Sequence, residues 1–138
     1  MTPNKVCPVV VRESAHGLEI LMFRHPRGGV QLVKGTIEPG EAPQAAARRE
    51  LFEESGIAEA RIVEDLGLWD ADQAQQIWSF QRCEPVQPLP DAWSHHCADG
   101  DGHLFELFWH PLTEEPTGAH PVFVRAVRCI RERLRGVP

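Results

Sequence analysis

The stretch from Gly35 to Ile57 constrains this chain more than any other. Gly35, Pro39 and Gly40 punctuate a loop. Pro43 follows where the first turn of a helix tolerates proline, because the N–H groups of that turn lack intrahelical partners. From Gln44 to Leu51 the residues are strong helix formers. Gly56 then falls just past the end, where a left-handed cap is common. The sequence predicts a loop feeding a helix that stops at Gly56.

At about 100° per residue, Glu50, Glu53 and Glu54 share an arc of roughly 100° on that helix. Ala46 lies on the same face one turn earlier and is too small to obstruct it. Ala47 and Leu51 adjoin it and are the expected core contacts. Three carboxylates at i, i+3 and i+4 repel one another if nothing sits between them. They also make an oxygen-rich site of the kind that hard divalent cations prefer, Mg²⁺ or Mn²⁺ especially. Mg²⁺ keeps several waters and completes its shell with substrate phosphates. The chemistry suggested is metal-assisted attack of water on a phosphate ester or anhydride. The competing reading is a solvated acidic helix face, the ordinary fate of a Glu-rich helix.

The same segment resembles a complete Nudix box, G-x5-E-x7-R-E-U-x-E-E-x-G-U with U aliphatic. Gly35, Glu41, Arg49, Glu50, Leu51, Glu53, Glu54, Gly56 and Ile57 fill its specified positions without a mismatch. The resemblance implies an α/β (α+β) fold, a Nudix-like α/β/α sandwich with a mixed β-sheet. It further implies Mg²⁺- or Mn²⁺-dependent hydrolysis of a nucleoside diphosphate linked to another group. Carried over by position, Glu50, Glu53 and Glu54 would be metal ligands and the catalytic set, Glu53 or Glu54 also helping to activate water. Glu41 and Arg49 would brace loop against helix, with Gly35 and Gly56 structural. Lys34 before Gly35 matches a Pro-Lys-Gly variant of the approach to the box. That variant resembles dinucleoside polyphosphate and diphosphoinositol polyphosphate hydrolases, but Val30 and Val33 replace its tryptophan and proline. The alternative within the family is a regulatory module that binds a nucleotide without turning it over; three clustered, mutually repelling glutamates speak against it.

Length and charge bound the rest. At 138 residues the chain is read as one domain over 1–138, able to bury a core without disulfides. Its net charge of −6 argues against a nucleic-acid polymer as partner and leaves a small phosphorylated substrate, a nucleotide for preference. Neither a signal-type apolar core nor a membrane-length run follows Met1, so a cytoplasmic, membrane-free protein is expected. Cys7, Cys83, Cys97 and Cys129 form no C-x-x-C pair and read as free thiols. A zinc site built on His95, His96, Cys97 and His103 is the sharper alternative, with a spacing that fits no standard finger or ribbon.

Along the chain, Val6 to Val11 reads as a strand, with Pro8 marking an edge or bulge, in a hairpin with Leu18 to Phe23. Arg24 and Arg27 lie in the loop that follows; Arg27 and, more strongly, Lys34 are candidates to meet substrate phosphates. Ala60–Leu68 and Gln75–Arg82 read as strands. Cys83 to Asp101, rich in proline and without periodicity, reads as a long loop able to cover a substrate, with Trp93 either stacking on a ring or packed on the core. His103 to Trp109 reads as a strand carrying Glu106, the first choice for a metal ligand or base outside the box, ahead of Asp99 and Asp101. A solvent-facing glutamate is the plainer reading. Asp99-Gly100-Asp101-Gly102 resembles part of a calcium loop but lacks the downstream ligands. His120 to Leu134 forms an apolar helical stripe through Val122, Phe123, Ala126, Val127, Ile130 and Leu134. Arg125, Arg128, Arg131 and Arg133 make its other face basic: solvated, or open to an anion or a second subunit in a homodimer.

Overall fold

The run Val6–Val11, which reads as one strand, is two: β1 (Lys5–Val9) and β2 (Val11–Ser14) part at Val10 and enter different sheets. The computed structural model describes residues 1–98 and 102–135, Arg135 without its side chain. After β2 come β3 (Gly17–His25), β4 (Gly29–Gln31), β5 (Gly35–Thr36) and α1 (Pro43–Ser55). These are followed by β6 (Ala60–Asp70), β7 (Ile77–Pro85), β8 (Ala92–Cys97), β9 (His103–Pro111) and α2 (Pro121–Arg135).

One sheet runs β5-β1-β7-β6 and is mixed, because β1 and β7 are parallel while the other pairs are antiparallel. The other runs β2-β3-β9-β8, antiparallel throughout, with β4 beside β3. The hairpin expected at the start survives only as β2 with β3, Val11 opposite Ile20 and Ser14 opposite Gly17. Pro8 sits beyond Val6, where the pairing of β1 with β5 ends, so its missing N–H faces no second ladder.

Alternation along the strands fills two cores, one under each helix. On β3, Ile20 and Met22 join Trp78, Phe80, Phe123, Ala126 and Ile130 beneath α2. Leu21 and Phe23 join Val6, Ala46, Ala47, Leu51, Phe105 and Leu107 beneath α1. The sandwich of helix, sheet layer and helix is the expected one, with its strands divided between two sheets. Among the described residues no helix is long and apolar enough to cross a membrane.

Two expectations need correction. The segment Cys83–Asp101 is not one long loop: β7 runs on to Pro85, and β8 pairs with β9 from Ala92 opposite Phe108 to Cys97 opposite His103. Its alternation was present, with Trp93, His95 and Cys97 more buried than Ala92, Ser94 and His96, but His and Cys carried it instead of aliphatic residues. Asp99 and Asp101 lie outside the described residues. The arginines of α2 are also not a free basic face. Arg125 donates to Ala71 O at 2.6 Å, and Arg133 to Leu66 O and Leu68 O at 2.8 and 2.7 Å. Arg131 reaches Leu112 O at 3.4 Å, and Arg128 pairs with Glu115 at 2.9 Å. They tie α2 to the β6–β7 turn, to β6 and to the connector after β9.

None of the four cysteines is in a disulfide. Burial pushes the Cys83 thiol up to about 12 and raises Cys7 and Cys129 as well, which leaves them inert near neutral pH.

Candidate functional site

Helix α1 begins and ends where its residues dictate. Pro43 occupies the first turn, and Gly56 closes the helix in a left-handed conformation with φ +81°, its N–H bonding Phe52 O at 2.9 Å. Ala46, Ala47 and Leu51 are fully buried, which fixes the rotation of the helix. That rotation directs Glu50 inward, only 7 % exposed, while Glu53 and Glu54 remain half-buried beside it.

Glu50 lies against Gly35. A Cβ built on Gly35 would stand 1.9 Å from the Glu50 carboxyl carbon and 2.1 and 2.2 Å from its oxygens. Only glycine leaves room for that carboxylate. A solvated acidic face would hold all three glutamates in water, and the burial of Glu50 speaks against that reading.

Arg49 organises the loop and the acidic face together. Its Nε and Nη2 donate to the two oxygens of Glu41 at 2.9 and 2.8 Å, a bidentate pair, and Nη2 also reaches Thr36 O at 2.8 Å. Nη1 donates to Glu50 Oε1 at 2.8 Å and lies 3.3 Å from Glu53 Oε2. Glu41 accepts in addition from the Glu38 N–H at 3.0 Å. The Arg49 hydrogen bond, then the Glu38 N–H, hold the Glu41 carboxyl down to about 2, and the same pairing raises Arg49. From the other side the Lys34 N–H donates to Glu54 Oε1 at 2.9 Å. The loop from 34 to 41 is thus stitched to α1 at Glu41, Arg49, Glu50 and Glu54.

The remaining sequence candidates are distributed differently. Lys34 sends its ammonium group toward α2, 5.0 Å from the Trp78 ring, 5.7 Å from Phe123 and 3.3 Å from Gln76 Oε1. Burial lowers its pKa. Arg27 is exposed in the β3–β4 turn, where its backbone N–H bonds His25 Nδ1 at 2.9 Å. Trp93 is on β8 and donates its indole N–H to Ser55 O at 2.8 Å, so it packs on the end of α1. It also lines a cavity of about 400 Å³ with Gly56, Ile57, Leu89 and Pro90. Glu106 is exposed on β9, opposite Arg24 and Ser94. Its neighbours Phe105 and Leu107 face α1, so strand alternation turns Glu106 away from the carboxylates.

Among the described residues the histidines are not gathered into a zinc site. As placed, no three His, Cys, Asp or Glu side chains among the described residues surround one point. His25 Nδ1 accepts the N–H groups of Arg27 and Gly28, both at 2.9 Å, and its ring stands 4.7 Å from that of His103. His95 was overlooked as a site neighbour. Its Nε2 lies 3.0 Å from Glu53 O, and it lines a groove of about 260 Å³ with Phe52, Glu53, His96 and Cys97. The alternation of 92–97 was the signal that could have placed it.

Glu50, Glu53 and Glu54 bring the oxygen donors that a hard cation takes, though as placed they do not converge on one point. The oxygens come from three carboxylates in little more than one helical turn, and the cation now among them is the Arg49 guanidinium, between Glu50 and Glu53.

Comparison with known proteins bears on the family and the fold. The chain is 30 % identical over 124 residues to the NAD-capped RNA hydrolase NudC of Haemophilus influenzae (strain PittGG), an alignment covering 82 % of this chain and 44 % of that protein. The chain therefore spans less than half the length of that relative. Among solved structures, a UDP-X diphosphatase superposes with a TM-score of 0.73 at 16 % identity, over 100 % of this chain and 66 % of the other. An ADP-ribose pyrophosphatase from Streptococcus suis superposes with a TM-score of 0.68 at 14 % identity, over 99 % of this chain and 96 % of the other. At such identities these likenesses establish the fold. The NUDIX domain family model matches residues 2–128, and with the box from Gly35 to Ile57 folded as described, the chain belongs to the NUDIX domain family.

Proposed function

We propose that the protein is a divalent-metal-dependent pyrophosphohydrolase that cleaves the phosphoanhydride of a nucleoside diphosphate linked to a second group. The observation that carries this is the buried Glu50 carboxylate seated on Gly35, with Glu53 and Glu54 beside it on one helix face. Glu50, Glu53 and Glu54 would hold Mg²⁺ or Mn²⁺, which supplies charge neutralisation for the diphosphate and acidifies water.

The chain's own residues supply orientation and the proton path. Water attacks one phosphorus, the bridging P–O bond breaks, and the other phosphate leaves. Glu53 or Glu54 accepts the proton of the attacking water. The Lys34 N–H fixes one oxygen of Glu54. Arg49, anchored by Glu41 and Thr36 O, pairs with both Glu50 and Glu53 and aims them together.

The substrate class follows from shared chemistry. NAD, UDP-X and ADP-ribose each carry a nucleoside diphosphate joined to something else. A net charge of −6 favours the small nucleotides over the RNA in the relative's name.

The test is a phosphate-release screen with Mg²⁺ or Mn²⁺. Its panel comprises ADP-ribose, NADH, UDP-sugars, nucleoside triphosphates, diadenosine polyphosphates, diphosphoinositol polyphosphates and an NAD-capped oligonucleotide, with a coupled phosphatase to reveal products. The proposal predicts turnover of at least one nucleoside diphosphate conjugate, abolished by chelator. Silence across the panel from a folded, metal-binding protein would favour a nucleotide-binding module instead.

A further inference from the structure

Two backbone carbonyls in the last turn of α1, which carries Glu53 and Glu54, are met by side chains of β8. A helix leaves its final carbonyls without intrahelical donors. Here the Gly56 N–H takes Phe52 O, and β8 supplies donors for two more. His95 Nε2 meets Glu53 O at 3.0 Å, and Trp93 Nε1 meets Ser55 O at 2.8 Å. Because a carbonyl can only accept, Nε2 bears the hydrogen in this contact. The approach depends on Gly56. A Cβ there would lie 2.8 Å from His95 Nδ1, in a conformation of φ +81° that already disfavours a side chain. The strand is itself anchored, since β8 pairs with β9 along its whole length.

We propose that His95 is a positioning residue for the reaction of this site: through the main chain of Glu53, it sets the direction in which the carboxylates of Glu53 and Glu54 leave the helix. The inference rests on the hydrolase reading above. Water would satisfy the Glu53 carbonyl equally well but would not fix its place, and an unpinned last turn is the part of a helix that frays. Misplacement of a reacting group by about 1 Å costs on the order of 10²-fold in rate, so a fraying turn beneath two working carboxylates is a kinetic defect before it is a stability defect.

The test compares wild type, His95→Ala and His95→Gln. Hydrogen–deuterium exchange over 53–57 in the metal-free protein reads the clamp, Mn²⁺ titration by electron paramagnetic resonance reads the carboxylates, and steady-state kinetics with the substrate found in the screen separates kcat from KM. His95→Ala should speed exchange in that turn by about tenfold. It should also weaken Mn²⁺ binding several-fold and lower kcat by roughly tenfold with little change in KM. His95→Gln, which returns a side-chain N–H of similar reach, should recover most of each loss. Unchanged Mn²⁺ affinity and kcat in His95→Ala would overturn the proposal. So would equal losses in both variants that merely follow a fall in Tm. A wild type with no affinity for Mn²⁺ would overturn the hydrolase reading itself, and the exchange data would still show whether the clamp exists.

Discussion

Replacing Gly35 with alanine isolates the contact that shapes the site. The backbone at Gly35 does not have a positive φ, so alanine is free of conformational strain there. The whole cost falls on Glu50, whose carboxyl carbon would be 1.9 Å from the new methyl group. Ordinary contact begins at 3.4 Å, so the carboxylate must retreat by roughly 1.5 Å. Arg49 Nη1 now donates to Glu50 Oε1 at 2.8 Å, and that hydrogen bond would be lost. A hydrogen bond to a charged group contributes about 1.5–3 kcal/mol, while the reduced freedom of alanine in the unfolded chain returns about 0.4–1 kcal/mol. The net is a loss of about 1–2 kcal/mol, or a fall in Tm of roughly 3–8 °C for a domain of this size. Turnover should suffer far more, by on the order of 10²-fold, because a carboxylate proposed to hold the metal would have moved more than 1 Å. Thermal unfolding and initial-rate assays on the same preparation give both numbers. A variant with nearly wild-type kcat would refute the claim that the Gly35 cradle places Glu50.

Arg49→Lys tests the organiser: one ammonium cannot serve Glu41, Thr36 O, Glu50 and Glu53 together, so kcat should fall at least about tenfold and Tm should drop, read by the same two assays. Leu51→Ala, at a fully buried position, should cost about 2–5 kcal/mol in urea unfolding; a loss below 1 kcal/mol would mean that α1 is not held by this core. The Glu41 carboxyl is depressed in the folded state from an ordinary 4.5 to about 2. Its stabilising contribution is therefore complete above pH 4.5 and lost as pH falls from there toward 2. Glu41→Gln should flatten the pH dependence of Tm in that window, and identical profiles for variant and wild type would exclude the pairing as its source.

The sequence was most legible where structure is local. Pro43, the alanines and Gly56 bound α1 correctly because caps and propensities act within a few residues, and the carboxylate arc follows from helical geometry alone. The role of Gly35 was legible as a turn residue only, since its contact with Glu50 arises when loop and helix meet. β8 was missed because its inward positions are Trp93, His95 and Cys97, which carry weak strand signal among prolines. The basic stripe of α2 reads as solvated, or as open to an anion or a second subunit, because sequence shows charge without its acceptors. Those acceptors include the carbonyls of Leu66, Leu68 and Ala71, distant in the chain. Glu106 had the right residue type on the wrong face, a matter of strand parity fixed only once Phe105 and Leu107 are seen beneath α1.

The most direct test of the central claim is the turnover of Glu53→Gln and Glu54→Gln with Mg²⁺, measured beside their thermal unfolding. Both substitutions keep the side-chain shape and remove the charge. If the carboxylates hold the metal and take the proton, each variant should melt near the wild-type temperature and lose turnover by about 10²-fold or more. Near-wild-type rates in both variants would contradict the account and return these glutamates to the status of a solvated helix face.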